Sequence, residues 1–269
     1  MDVSDSGGRK AMDNPAKRLL ATDEPDPVLV RNEDGASPFF LTCDHAGRLV
    51  PRSLGDLGVP PSEMDRHIAW DIGMAGTSRV LADLLDACLI EQVYSRLVID
   101  CNRDPSVPSA MPEISESTPI PGNVGLSDAD RERRRVEIFE PYQARTVGLL
   151  DRRAEAGRET VLIAMHSFTP VFKGFVRPWH VGVLYNRDAR LADAMLDLLR
   201  KEGDLVVGDN EPYHVSDESD YGIPVHGERR GILHVELEIR QDLIAGPAGQ
   251  KAWAERLARL LPLAAGGLR

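Results

Sequence analysis

Pro38-Phe39-Phe40-Leu41-Thr42-Cys43-Asp44-His45 carries the reading of the fold: a short apolar run ends abruptly in two residues capable of chemistry. The pattern recurs twice. Thr160-Val161-Leu162-Ile163-Ala164-Met165 ends in His166-Ser167, and Gly231-Ile232-Leu233-His234-Val235-Glu236 leads to Glu238-Ile239-Arg240. Runs of this length, rich in branched apolar residues, predict buried strands of a parallel sheet. Ligands of such sheets bind beyond the carboxyl ends of the strands. Two histidines and a carboxylate delivered there point to an active site, and specifically to a metal site.

Between these strands the chain predicts helices. Pro60-Pro61-Ser62-Glu63-Met64 opens one, with Ser62 as its cap. Val80, Leu81, Leu84 and Leu85 repeat at helical spacing within a second, 73–85. Ser127-Asp128-Ala129-Asp130 caps a long charged helix to about residue 156, with Arg131–Arg135 read as a solvated face. Asp188 caps a helix over 189–201, and 250–263 forms the last. Leu89–Val93, Leu97–Ile99 and Val181–Tyr185 read as further strands, and Leu205–Val207 as an edge strand. Residues 104–126 hold five prolines and predict a long loop of the kind that covers active sites. The alternation predicts an α/β fold, a mixed but largely parallel sheet sandwiched between helices. Residues 1–25 are polar and predict a loose tail, leaving 26–269 as one catalytic domain.

Composition narrows the function. The net charge of −11 argues against nucleic acid or an anionic membrane as the main partner. No apolar run reaches the ~18 residues that span a bilayer. Cys43, Cys88 and Cys101 form no even framework and no CxxC pair, which suits a reducing cytoplasm. The polar N-terminus carries no apolar signal segment.

The candidate site builds from these pieces. Hydrolytic zinc takes three His or carboxylate ligands and keeps one position open. His45 and His166 supply two. For the third, Asp71 is favoured, with His67 or Asp44 as alternatives. His67 and Asp71 lie four apart and would share one face of a helix. The competing reading makes Asp71 a helix cap. In His234-Val235-Glu236-Leu237-Glu238-Ile239-Arg240 the polar side chains alternate onto one face of a strand, and Glu238 is the candidate proton carrier. Arg96, Asn102 and Arg103 flank an apolar run, and arginine grips carboxylates in two-pronged fashion. An ion pair between Arg96 and Asp100 is the plainer alternative for Arg96.

These motifs together resemble the N-formylglutamate amidohydrolase family. The resemblance rests on Cys43-Asp44-His45-Ala46-Gly47, on His67-Ile68-Ala69-Trp70-Asp71-Ile72-Gly73, and on Ser95-Arg96-Leu97 with Asp100-Cys101-Asn102-Arg103-Asp104-Pro105. It continues through Pro112-Glu113-Ile114-Ser115, Pro119-Ile120-Pro121-Gly122-Asn123 and His166-Ser167-Phe168-Thr169-Pro170 to Glu236-Leu237-Glu238-Ile239-Arg240-Gln241-Asp242. That family is similar in turn to the zinc carboxypeptidases and aspartoacylases. The resemblance implies their fold, a zinc ion on His45 and His166 with the remaining ligand, Asp71, drawn from elsewhere in the chain, and Glu238 as catalytic base. It also implies Asn102-Arg103 as the carboxylate grip, with Arg96 and Arg240 alongside. The implied substrate is an N-acyl amino acid, N-formyl-L-glutamate first. One departure is that the relatives' His-x-x-Glu would place a glutamate at 48, where this chain has Arg48. A hydrolase of other N-acyl amino acids or peptides, or a non-catalytic carboxylate-binding module, are the rival expectations.

Overall fold

The apolar runs do form buried strands. The structure, a computed structural model, describes residues 18–268. In chain order the strands are β1 (Val28–Arg31), β2 (Phe39–Cys43), β3 (Cys88–Gln92), the short pair β4 (Ile114–Ser115) and β5 (Thr118–Pro119), β6 (Val161–Phe168), a second short pair β7 (Val171–Phe172) and β8 (Phe175–Val176), β9 (Val181–Leu184), β10 (Val207–Asp209) and β11 (Leu233–Arg240). The helices are α1 (Pro61–Met64), α2 (Met74–Leu85), α3 (Asp128–Arg134), α4 (Glu140–Glu155), α5 (Arg190–Lys201) and α6 (Pro247–Gly266).

A seven-stranded sheet in the order β1-β3-β2-β6-β11-β9-β10 forms the centre. The strands β3, β2, β6 and β11 run parallel; β1 runs antiparallel to β3, and β9 antiparallel to β11 but parallel to β10. The fold is therefore α/β with a mixed, mostly parallel sheet, as the sequence predicts. Alternation assigns the two faces. Leu41, Ile163, Val235 and Leu237 point to a core closed by Leu81, Leu191 and Leu257 of α2, α5 and α6. Phe40, Leu162 and Ala164 point to the other, closed by Tyr142 and Leu149 of α4 and by buried loop residues. At β2, β6 and β11 this second face ends in polar side chains.

Several local expectations change. Leu97–Ile99 is a buried turn, because side chains take the place of a partner strand: Asn123 Nδ2 donates to Leu97 O (2.9 Å) and Arg134 Nη1 to Val98 O (2.9 Å). The edge strand lies two residues later than Leu205–Val207, at β10. Ser62 caps nothing, since α1 starts at Pro61. The N-cap position of α5 is Ala189, although Asp188 Oδ1 accepts from Arg190 N (3.1 Å). The long helix is interrupted by a π-helical turn, Arg135–Phe139, between α3 and α4. Loop 104–126 holds two short helical turns and the β4–β5 hairpin, anchored by buried Met111, Ile120 and Asn123. Residues 1–17 of the expected tail lie outside the described residues, and the remainder is seated. Leu19 is buried, and the N–H groups of Leu19 and Leu20 donate to Glu137 (2.8 and 2.9 Å). Among the described residues no helix is long and apolar enough to cross a membrane. Cys43, Cys88 and Cys101 are buried, free thiols.

The arginine run is not uniformly solvated. Arg134 is 1% exposed. It donates to Val98 O, Asn123 Oδ1 (2.7 Å) and Gly122 O (3.1 Å), bracing the turn 95–99 against loop 104–126. Burial pushes its pKa down to about 10, so it stays charged at neutral pH. Arg134→Met keeps the apolar stem and strands three buried acceptors. The expected cost is about 3 kcal/mol of stability, read as a lower urea midpoint at unchanged slope. An unchanged midpoint would show the brace to be dispensable.

Candidate active site

The carboxyl ends of β2, β6 and β11 and the turn after β3 surround a cavity of about 890 Å³. His45 follows β2, His166 and Glu238 lie near the ends of β6 and β11, and the register sets Glu238 level with His166. Asp71 arrives on the segment after α1, tied back by its own N–H to His45 O (2.9 Å). That segment is not helical over 67–71, so His67 and Asp71 do not share a helix face.

His45, Asp71 and His166 converge. They are all buried, and one donor atom of each lies within 4.8 Å of the others. Asp71 Oδ2 stands 3.1 Å from His166 Nδ1, and Asp71 Oδ1 stands 3.6 Å from His45 Nδ1. Each ring has a carboxylate on its far side: Asp100 Oδ1 lies 2.7 Å from His45 Nε2, and Asp44 Oδ2 lies 3.6 Å from His166 Nε2. At His45 the Asp100 carboxylate favours the tautomer with Nε2 protonated and Nδ1 bare, as a metal-binding histidine requires; at His166 the hydrogen bond is made at Nδ1, to Asp71, and Nε2 has no hydrogen-bond partner. His45 Nδ1 has no hydrogen-bond partner. The donor set and its outer carboxylates thus fit a divalent cation.

Charge supports the same reading. Burial would raise the pKa of Asp71, but the two imidazoles outweigh it and hold the carboxyl low. Burial also acts on Asp100, where Arg96 and His45 outweigh it and lower its pKa well below the usual range. Burial alone would lower His166, yet Glu236, Asp44 and Asp71 drive it well above its ordinary value. Without a cation the rings must carry the positive charge that the carboxylates demand; a divalent ion would supply it and leave both rings neutral.

Glu238 is 6% exposed and its Oε2 is unpartnered. Burial, only partly offset by His166, pushes its pKa up to about 7. That value suits a group that both accepts and returns a proton near neutrality. Glu236 lies one pair deeper, level with Ala164, and burial raises its pKa well above normal.

The other predicted residues divide. Arg103 lines the cavity; it donates to Ser219 O (3.1 Å) and lies 3.5 Å from Asp100. Arg96 lines it too, paired with Asp100 (2.7 Å) and 3.6 Å from Asp71. Asn102 is occupied by backbone: its Oδ1 accepts from Tyr221 N (3.1 Å) and Gly222 N (2.8 Å), and its Nδ2 donates to Asp220 (3.2 Å). A Cβ at Gly222 would sit 3.2 Å from that Oδ1, a tight contact. Arg240 is not among the cavity-lining residues; it is held by Asp242 (2.8 Å) and Trp179 O (3.3 Å) at the strand end. Of the alternative ligands, His67 lines the cavity beside Glu116 at 3.6 Å and stands outside the His–Asp–His group. Asp44 backs His166 and accepts a hydrogen bond from Tyr142. Sequence reasoning missed Asp100 as the partner of His45 and Tyr142 as the partner of Asp44. The latter pair is separated by 98 residues, and no spacing rule reaches that far.

A buried group that could hold a cation stands beside an unpaired carboxylate at the carboxyl edge of an α/β sheet, an arrangement suited to a hydrolase. The model of the N-formylglutamate amidohydrolase family matches residues 37–245, and the chain belongs to that family, whose members are hydrolases of amide bonds. The crystal structure of gene product Atu2144 from Agrobacterium tumefaciens is 38% identical, with a TM-score of 0.91 over 93% of this chain and 99% of that one. N-formylglutamate amidohydrolase from Ralstonia eutropha JMP134 shares the fold at 19% identity, with a TM-score of 0.61 over 90% of this chain and 98% of that one. No curated protein matches the chain.

If the His–Asp–His group takes a divalent ion, adding zinc to chelator-treated protein stabilises it. At a free concentration 100-fold above Kd the gain is about 2.7 kcal/mol, a rise in Tm of roughly 5 °C or more. The double variant His45→Ala/His166→Ala is expected to show no rise in the same thermal melt, and an equal rise there would place the ion elsewhere.

Proposed function

We propose that the protein hydrolyses N-formyl-L-glutamate, or a closely similar N-acyl amino acid, to formate and the free amino acid, with zinc as cofactor. The observation that carries this reading is Glu238, buried and unpartnered with a pKa of about 7, level with His166 of the cation-binding group.

His45 Nδ1, Asp71 and His166 would hold the ion, while Asp100 takes the His45 Nε2 proton and fixes that ring. When bound, zinc supplies Lewis acidity, polarising the scissile carbonyl and acidifying water. Glu238 Oε2 accepts the proton of the attacking water. The same carboxyl then returns it to the leaving nitrogen as the C–N bond breaks, so water and amide become formate and amine. Arg103 receives the α-carboxylate of the substrate, since among the described residues it is tied to Ser219 O and, at longer range, to Asp100. Arg96 acts as a positioning residue through Asp100 and Asp71. Asn102 serves by pinning residues 220–222 beside the site.

Glu238→Gln keeps the shape and removes the proton acceptor. Turnover of N-formylglutamate is expected to fall by about 10²–10⁴-fold, with near-stoichiometric zinc retained by elemental analysis. Loss of zinc in that variant would make Glu238 a ligand. Full activity would remove it from the reaction.

A further inference from the structure

Arg177 is 4% exposed, and among the described residues it pairs with no carboxylate. It follows β8, with its own N–H bound to Pro170 O (2.9 Å). Its guanidinium carbon lies 5.7 Å from the ring centre of Phe168, 4.7 Å from Phe172 and 4.6 Å from Tyr213. Aromatic faces return only part of the cost of desolvating a cation. A buried, unpaired positive charge behind two rings that line a cavity requires an explanation, because the reaction above does not use it.

The contact with Tyr213 supplies one. Arg177 Nη1 donates to Tyr213 Oη (2.9 Å) and occupies the acceptor side of the phenol. The phenolic proton cannot point at the guanidinium, and Tyr213 lines the cavity. The group offered to a ligand is thus an O–H donor backed by a positive charge. Burial, then the charge of Glu238, raises the Tyr213 pKa, so the proton is kept at neutral pH. Elsewhere the wall is hostile to a second anion. Glu116, Glu218 and Asp220 line it, and Arg96 is already engaged by Asp100.

We propose that Tyr213, oriented by Arg177, is the specificity subsite for the second carboxylate of an acidic N-acyl amino acid, Arg103 taking the first. This rests on the hydrolytic reading above and adds a selection rule to it. The occupant is a side-chain carboxylate, not a neutral amide of the same shape.

The test compares N-formyl-L-glutamate with N-formyl-L-glutamine on the zinc-loaded protein. The wild type is expected to have a lower KM for the glutamate compound. In Tyr213→Phe the KM for N-formylglutamate should rise about 10-fold, with kcat changed much less and the glutamine compound affected far less. Arg177→Met should do the same, and Arg177→Lys should recover part of the selectivity. Should Arg177→Met fail to fold in a thermal melt, Tyr213→Phe decides alone. Equal losses on both substrates, or a wild type that hydrolyses both with equal KM, would overturn the subsite and leave the hydrolase standing. A wild type that cleaves neither compound would overturn the hydrolytic reading, and the subsite with it.

Discussion

Asp71 is the point on which this structure turns. One buried carboxylate faces both imidazoles, stands 3.6 Å from Arg96, and accepts the N–H of Ser167 (3.1 Å). Around it Asp44, Asp100, Glu236 and Glu238 are also buried. Such a concentration of acid groups is tenable only if positive charge enters with it. His45, His166 and Arg96 provide that charge from three segments, so forming the site and docking those segments are one event. A divalent ion at the same place would meet the demand more fully than protonated rings.

The sheet alone could not hold this arrangement. Parallel strands deliver His45, His166 and Glu238 to one edge, but Asp71, Arg96 and Asp100 ride on irregular chain. Irregular chain that is buried must find partners for its backbone polar groups. Here side chains supply them. Ser95 Oγ donates to Ala69 O (2.8 Å), Asn123 reaches Leu97 O and Pro112 O, and Arg134 reaches Val98 O. Asn102 does the same for residues 221 and 222. A side chain marked for ligand contact in sequence thus becomes a scaffold for the loop that borders the ligand.

The contrast explains what the sequence disclosed. Buried strands announce themselves through apolar runs, so the sheet, the positions of His45, His166 and Glu238, and most helices were legible. Asp71 emerged as the favoured third ligand although its helical spacing from His67 was illusory; the chain there is irregular. Arg134 was misread because a run of charges has the same appearance whether one member turns inward or not. Arg240 was misread because alternation predicts the face of a strand but not whether the last residue still overlies the site. The Arg96–Asp100 pair was legible, but the contact of Asp100 with His45 and the role of Arg177 were not, since one partner lies 55 residues away and the other 36.

Alternation also raises the question of why Glu238, not Glu236, should carry the proton. Both point to the same face, both are buried, and burial raises both. The register separates them. Glu238 is level with His166, the last polar group that β6 gives to the cation-binding group, whereas Glu236 is level with Ala164. One step along a strand pair is about 7 Å; both carboxylates line the cavity, with Glu236 the further from the carboxyl end of the strand. Burial raises the pKa of Glu236 well above its ordinary value and that of Glu238 to about 7. Two identical side chains two residues apart thus meet different neighbours, Glu238 opposite His166 and Glu236 opposite Ala164, and the proposed proton role falls to the one nearer the edge of the sheet.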